Sequence, residues 1–533
     1  MKTIINNIKS FKLTSATKLL MAVAFAVYLP FMVQSLNGAD NSTNGYIRKF
    51  HGYDWENSQG RFFIRFFDMW RDSWIPRVLI VALCIIFLCI MAQLVCDILA
   101  INKPDSANIF VPFLTGALIV FSPSIANLLT YYYCADSYCF AYLLVVLASY
   151  ILIKNSTWVS RIAAVILMAI SAGIYQAYIG MAIVLILINW FCKLTEDPDS
   201  SDNSESLKDI NINSLLSLIC VGVSMLGYLI LFKFLSFVHY LYPTSTRGMD
   251  NMLGSLLSTF PNGIVEAYKA FLNYFFTNDI LNNDFFGRRI LNVIIIIVLL
   301  AIVIYTIISR KTYRNIPRLL LCIAIVVSLP LFLCLIVLIA PGASVYAETG
   351  MLMLPYMNIL YILPIALLSN ISNKSVKHIY NIIVTLALII MVVFIQLFAS
   401  MIEIENAQMT SVATMIAHDV EKISEGNHDI PLLITGRLRS GNYPFPDSEL
   451  EEICKGMVSR YGLVYSTDEQ ISEGWVNYIK YYVGIDYKYP DEETRIQILD
   501  SSEFSDMSIY PTEDSVKIIN DVIVVRLSNE DFR

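Results

Sequence analysis

The stretch Ile75-Pro-Arg-Val-Leu-Ile-Val-Ala-Leu-Cys-Ile-Ile-Phe-Leu-Cys-Ile-Met-Ala-Gln-Leu-Val-Cys-Asp-Ile-Leu-Ala100 decides the fold class. A helix needs about 20 mostly apolar residues to cross a bilayer, and this run supplies them. Similar runs recur at 18–36, 107–129, 136–153, 158–174, 177–194, 213–238, 290–309, 317–340, 351–369 and 378–400. The reading is an all-α polytopic membrane protein of about eleven transmembrane helices. Composition agrees: of 533 residues, 56% are hydrophobic and 15% charged, against about 25% charged in a soluble domain. Mean hydropathy is +0.60.

Lys and Arg in the short loops set the orientation. Lys103, Lys154, Arg161, Arg310, Lys311, Arg314, Arg318, Lys374 and Lys377 fall on one side. The short loops near 130–136, 174–177 and 341–350 contain no Lys or Arg. This places the N-terminus in the cytoplasm, and an odd number of spans puts the C-terminal segment outside. The long loops 37–76 and 239–289 then also lie outside. The first run follows Lys2, Lys9, Lys12 and Lys18 but is too long for a cleaved signal and has no small-residue exit, so it reads as a retained span.

Residues 1–400 thus form a transmembrane domain and 401–533 a small soluble α/β domain. Met401–Glu425 reads as a helix leaving the last span. Ile430–Thr435 and Val522–Leu527 read as buried strands, with Tyr481–Tyr489 and Arg495–Leu499 as weaker strand candidates. The polar stretch 195–211 reads as a disordered linker. Nine of ten cysteines lie in or beside apolar runs and behave as small hydrophobes. Cys134 and Cys139 lie near one membrane face, where packing is the plainer role and pairing the alternative. No metal-ligand spacing, glycine-rich phosphate loop or basic nucleic-acid stripe is present. An enzyme built this way draws its substrate from a carrier other than a soluble nucleotide, most simply a lipid.

The first outer loop concentrates candidate chemistry. Asp40, Asp54 and Glu56 are candidate bases, since a carboxylate at a membrane surface can take a proton from a hydroxyl; a solvated loop acid is the plainer role of each. Asp136 is a second acid at the same face, and an acid at a membrane edge must be hydrated, paired or used. From Arg61 to Trp74, Arg61, Arg65, Asp68 and Asp72 share one helical face and the aromatics the other, as in an interfacial helix. Arg48, Arg61 and Arg65, with Arg288 or Arg289 from the second large loop, can fork a phosphate. Tyr131, Tyr132, Tyr133 and Tyr138 at the same face, and Tyr175 in the next outer hairpin, suit sugar faces or a membrane belt. Gln176 either bonds substrate hydroxyls or joins two helices. Glu348 is a lower-ranked base or the partner of an arginine, and Glu56 doubles as a sugar contact.

The pattern Asp40-Asn41, Gly60-Arg61, Tyr131–Asp136, Ala148-Ser-Tyr-Ile-Leu and Gly173-Ile-Tyr-Gln resembles the phage-type Gtr glucosyltransferases that convert O-antigen serotype in Gram-negative bacteria. These are similar to the wider GT-C class of polytopic, lipid-donor glycosyltransferases. The resemblance implies an undecaprenyl-phosphate glucose donor and an O-antigen polysaccharide acceptor outside the inner membrane. It maps the acid after the first span to Asp40. Many relatives resemble Asp-Asp there, whereas this chain has Asp40-Asn41, which shifts weight to Asp40 alone. Metal dependence stays open, since GT-C-like enzymes differ on it; no other cofactor is implied. The competing readings are a polysaccharide polymerase or ligase with a lipid-diphosphate donor, and a transporter of lipid-linked sugars.

Overall fold

The computed structural model describes residues 12–34, 53–72, 74–101, 109–196, 206–238, 240, 252–339, 348–369, 374–437, 449–455, 457 and 468–529. The helices that matter for the site are α1 (Ser15–Val27), α2 (Tyr53–Ser58), α3 (Arg65–Trp70), α4 (Arg77–Ile98), α5 (Phe110–Val120), α6 (Pro123–Leu128), α7 (Ala135–Lys154), α8 (Trp158–Ile174), α9 (Ile179–Leu194), α10 (Leu207–Phe237), α11 (Met252–Phe276), α12 (Arg288–Ser309), α13 (Ile316–Leu333), α14 (Ile359–Ser369) and α15 (Lys374–Ser424). Each expected span overlaps a helix, although in 351–369 the helix begins only at Ile359. Among the described residues, seven are long and apolar enough to cross a membrane, and α1, α5, α8 and α14 are shorter apolar helices. By that measure the structure shows seven full-length candidates where the sequence suggested eleven.

Prolines account for two of the shortened helices. Pro30 follows the break at Tyr28, after α1. Pro123 forces Ser122 into an extended conformation and splits the 107–129 run into α5 and α6, because the residue before proline avoids helical backbone. Carbonyls at these breaks find partners. The hydroxyl of Tyr28 donates to the Val120 carbonyl at 2.7 Å, Tyr132 to Phe31 at 3.0 Å, and Asn358 Nδ2 to Leu118 at 3.0 Å. Irregular backbone at membrane depth persists only where protein satisfies it in this way.

Helix α10 shows the logic of packing in lipid. Leu215, Ile219, Val223, Leu226, Ile230 and Phe234 are exposed at helical spacing, while Ser214, Ser217, Val221, Ser224 and Tyr228 are buried. Small residues face the bundle and large apolar ones face outward, the arrangement that close helix approach in a bilayer favours. Gln93 supplies a polar tie inside α4: its Oε1 accepts from Thr14 N and Thr17 Oγ1, and its Nε2 donates to the Lys12 carbonyl. That fixes the start of α1.

Two loop expectations are corrected. The loop 239–289 contains α11, whose inward face buries Ala267, Ala270, Tyr274 and Phe275. The linker 195–211 ends early, since Ser206 caps α10 by accepting from Asp209 N and residues 207–211 are helical; 197–205 lie outside the described residues.

Helix α15 runs unbroken into the C-terminal region. Its last turns bury Met409, Val412, Ala413, Ile416 and Val420 in a separate core with the strands. The strands are β1 (Leu432–Thr435), β2 (Val516–Ile519) and β3 (Val522–Arg526), in the order β1-β3-β2. β1 runs parallel to β3 with Leu433 opposite Val524, and β2 is antiparallel to β3 with Ile518 opposite Ile523. β2 escaped the sequence reading, although Asn520-Asp521, both at positive φ, is a typical two-residue hairpin turn. The weaker strand candidates are corrected. Arg495–Leu499 belongs to a helix, Glu492–Leu499, capped by Asp491 accepting from Thr494 N at 2.8 Å. In Tyr481–Tyr489 a helical turn, Ile479–Val483, is followed by irregular backbone. None of the ten cysteines is in a disulfide, so Cys134 and Cys139 do not pair.

Candidate active site

Two polar groups are buried among the apolar helices. The first grows from the loop between α1 and α4. Arg61 Nη1 contacts Glu56 Oε2 at 2.9 Å and donates to Tyr138 Oη at 2.7 Å. Its guanidinium lies over the Tyr175 ring, 5.0 Å from the centroid, and Tyr138 and Tyr175 stack at 4.2 Å. Thus Arg61 is held by a carboxylate, a hydroxyl and an aromatic face. Gln176 Nε2 donates to the Gln59 carbonyl at 3.0 Å and to Tyr228 Oη at 2.7 Å. It ties the loop to α10, the helix-joining role.

Beside it lies a cation shared by two acids. Arg71 Nη2 sits 3.2 Å from Asp68 Oδ1 and donates to the Tyr133 carbonyl at 2.9 Å, and Arg71 Nε lies 3.6 Å from Asp136 Oδ2. All three side chains are buried, Asp136 completely. Asp136 Oδ1 accepts from Ser137 N at 2.9 Å, while Oδ2 has no hydrogen bond. Burial raises the Asp68 carboxyl to about 7 from its ordinary 3.8; Arg71 opposes the rise, and Glu56 and Asp136 add to it. Glu56 and Asp136 therefore both act on Asp68, which makes the two charged sets one electrostatic unit.

The exposed side of α3 is Phe66, Met69 and Trp70, with Trp74 beyond it. The helix turns its acid inward and its apolar groups outward, as an interfacial helix does when the protein interior is the more polar side. The expected common face of Arg61, Arg65, Asp68 and Asp72 is corrected accordingly: the helix begins only at Arg65, Asp68 is buried and Arg65 is exposed. The Arg65 guanidinium contacts the Tyr240 hydroxyl and lies 5.5 Å from its ring centre. Gly173 lets this loop dock. Its carbonyl accepts from Phe63 N at 2.9 Å, and a Cβ there would come within 2.4 Å of the Phe63 ring.

A wall of buried tyrosines leads away from Arg61. Tyr175 meets Tyr178 at 4.9 Å, Tyr178 meets Tyr142 at 5.1 Å, and Tyr142 meets Tyr356 at 6.3 Å. Tyr356 donates to the Ala177 carbonyl. The hydroxyls of Tyr142 and Tyr178 are buried without a hydrogen bond. Such groups are costly unless something pairs with them.

The second group centres on Arg288, buried at the start of α12. Its guanidinium carbon lies 5.6 Å from the Tyr274 ring centre. Nearby, Tyr361 donates to Asn292 Oδ1 at 2.7 Å, and Ser124 to the Leu354 carbonyl at 3.1 Å.

The structure thus gathers Glu56, Arg61, Tyr175 and Gln176 around one network and Asp136 and Tyr133 around Arg71, with Arg65 at the exposed edge and Arg288 in its own group. Asp40 and Arg48 lie outside the described residues. Asp54 and Glu348 are on helical turns, and their side chains lie outside the described set. Sequence reasoning placed Tyr138 at this face but did not pair it with Arg61, and it did not single out Arg71 as the partner of Asp68 and Asp136. Arg71 recurs three residues after Asp68, a helical pair spacing that could have flagged it. Among the described residues, no three His, Cys, Asp or Glu side chains converge as a metal-ligand set.

A family model described as Glucosyl transferase GtrII matches residues 43–359. That stretch contains both polar groups and stops within the helical body. No curated protein and no solved structure matches the chain.

Proposed function

The chain belongs to the glucosyl transferase GtrII family, and on that footing we propose that it transfers a glucosyl group from a polyprenyl-phosphate sugar to O-antigen or a related cell-surface polysaccharide. Transfer takes place with inversion at the periplasmic face of a bacterial inner membrane. The observation that carries this reading is the burial of paired charges and tyrosines, including Arg61–Glu56 and Arg71–Asp68–Asp136, within an apolar helical body matched by a glucosyltransferase family. A polyprenyl donor lies in the bilayer and meets such a site laterally, with no nucleotide-binding domain required.

In the proposed reaction, an acceptor sugar hydroxyl attacks the anomeric carbon opposite the phosphate. The new C–O bond forms as the bond from that carbon to the phosphate oxygen breaks, and polyprenyl phosphate departs with the electron pair. Asp40 takes the hydroxyl proton, with Asp54 the alternative base in the same loop. Asp136, enclosed and held by Arg71, acts as a positioning group. Tyr133, Tyr175, Glu56 and Glu348 are proposed to contact sugar. Arg48, Arg61, Arg65 and Arg288 are the cations proposed to draw in and neutralise phosphate, the kind of electrostatic stabilisation that usually dominates such steps.

The test is transfer of labelled glucose from polyprenyl-phosphate glucose to lipopolysaccharide in membranes containing the full chain. Transfer by the wild type, with a product anomer opposite to the donor's, is expected. Asp40→Asn should lower the rate by about 10²–10⁴. Transfer only from a lipid-diphosphate oligosaccharide or a nucleotide sugar would overturn the donor assignment. Full activity in Asp40→Asn would remove Asp40 as base.

A further inference from the structure

Arg288 is a buried cation whose described contact is the Tyr274 ring, 5.6 Å from its guanidinium carbon. It is 5% exposed, and among the described residues no carboxylate pairs with it. Its Nε and Nη2 are buried without a hydrogen bond. Those two nitrogens form one edge of the guanidinium, the edge that presents two parallel N–H groups to a carboxylate or phosphate. The hydroxyls of Tyr274 and Ser122 are also buried and short of a full hydrogen bond; the Tyr274 hydroxyl interacts with Ser122, Ser124 and Arg288, so the four side chains cluster together. Arg288 opens the 22-residue helix α12, whose first-turn N–H groups add partial positive charge. Leaving a guanidinium buried and unpaired is strongly unfavourable, and an anion on that edge would relieve it.

The other described arginines near the site already have protein partners, so they add positive charge around a phosphate rather than an open fork for it. The same edge of Arg71 is taken by Asp68, Asp136 and the Phe67 and Tyr133 carbonyls. Arg61 is bound to Glu56 and Tyr138, and Arg65 contacts Tyr240.

We propose that Arg288, Tyr274 and Ser122 form the site for a phosphate ester, and that its ligand is the phosphate of the polyprenyl donor. Arg288 Nε and Nη2 donate to the two non-bridging oxygens, and the Tyr274 and Ser122 hydroxyls donate to the same group. The identity of the ligand rests on the donor class proposed above; the anion site rests on the geometry alone. The assignment makes Arg288 the phosphate anchor and gives Ser122, at the break between α5 and α6, a function: the proline-enforced break frees a hydroxyl at the site.

The experiment measures binding of polyprenyl phosphate and, separately, of inorganic phosphate to the purified full chain in nanodiscs. Wild type, Arg288→Gln, Arg288→Lys and the milder Tyr274→Phe and Ser122→Ala are compared. Wild type should bind polyprenyl phosphate. Arg288→Gln should weaken it by about ten- to a hundredfold, and Arg288→Lys should recover only part, because an ammonium cannot form the fork. If Arg288→Gln does not fold, the two milder variants carry the test, each with a weaker affinity expected. Unchanged lipid affinity in folded Arg288→Gln, or in both milder variants, overturns the anchor while leaving the donor class standing. Inorganic phosphate binding that depends on Arg288, with no binding of the lipid, keeps the anion site and overturns the polyprenyl donor.

Discussion

Asp68→Asn should flatten the pH dependence of stability. An acid whose folded-state value is near 7 against an ordinary 3.8 costs the folded protein about 4 kcal/mol once ionised. Below about pH 4 the group is protonated in both states and contributes no slope. Between about pH 4 and 7 the unfolded chain ionises first, so the native state holds more protons and stability falls by up to about 1.4 kcal/mol per pH unit. Above about pH 7 both states are ionised and the loss is complete. From pH 5 to pH 8 the wild type should therefore lose about 3 kcal/mol through this residue. With an unfolding entropy of about 2.1 cal/mol/K per residue, this corresponds to about 2–3 °C in Tm for a chain of 533 residues. Asparagine fills the same space and cannot ionise. It leaves Arg71 beside Asp136, 3.6 Å away. Thermal unfolding of both proteins in one detergent, followed by tryptophan fluorescence at half-unit steps from pH 5 to 8, reads the difference in slope. Parallel curves would refute the reasoning, because they would mean that Asp68 ionises alike in the folded and unfolded chain.

Glu56→Leu should destabilise by about 3 kcal/mol, toward the low end for breaking a buried pair, because Arg61 keeps Tyr138 and the Tyr175 face; adding Arg61→Met should restore part of the loss in the same melting assay. Gly173→Val should cost about 1–3 kcal/mol through overpacking and depress glucosyl transfer at equal protein level, since the new side chain must push Phe63 away and with it the loop that carries Arg61.

Much of the fold was legible from the chain. Runs such as 75–100 and 158–174 carry enough apolar residues that only a helix in lipid or a buried core satisfies their backbone, so their positions follow from composition. The break at Ser122 was in principle readable from Pro123. Helix α11 was harder to see, because it is polar enough to pass for loop and its burial depends on partners far away in sequence. In the site, the acids and arginines of the first outer loop were visible as types, and Arg61 and Glu56 do meet. Their partners were not visible: Tyr138 lies 77 residues from Arg61 and Asp136 lies on another helix from Arg71.

The sequence by itself determined a polytopic helical body, a separate C-terminal α/β region and membership in a glucosyltransferase family, because hydropathy, turn chemistry and family motifs are local properties of the chain. Only the tertiary structure decided that Arg71 is the shared counter-ion of two acids, that Gln176 ties the first loop to α10, and that Arg288 has two buried donors without a hydrogen bond among the described residues. Those facts depend on which groups approach within about 3–4 Å across the bundle, where hydrogen bonds and ion pairs acquire their strength, and packing of the whole chain sets those distances.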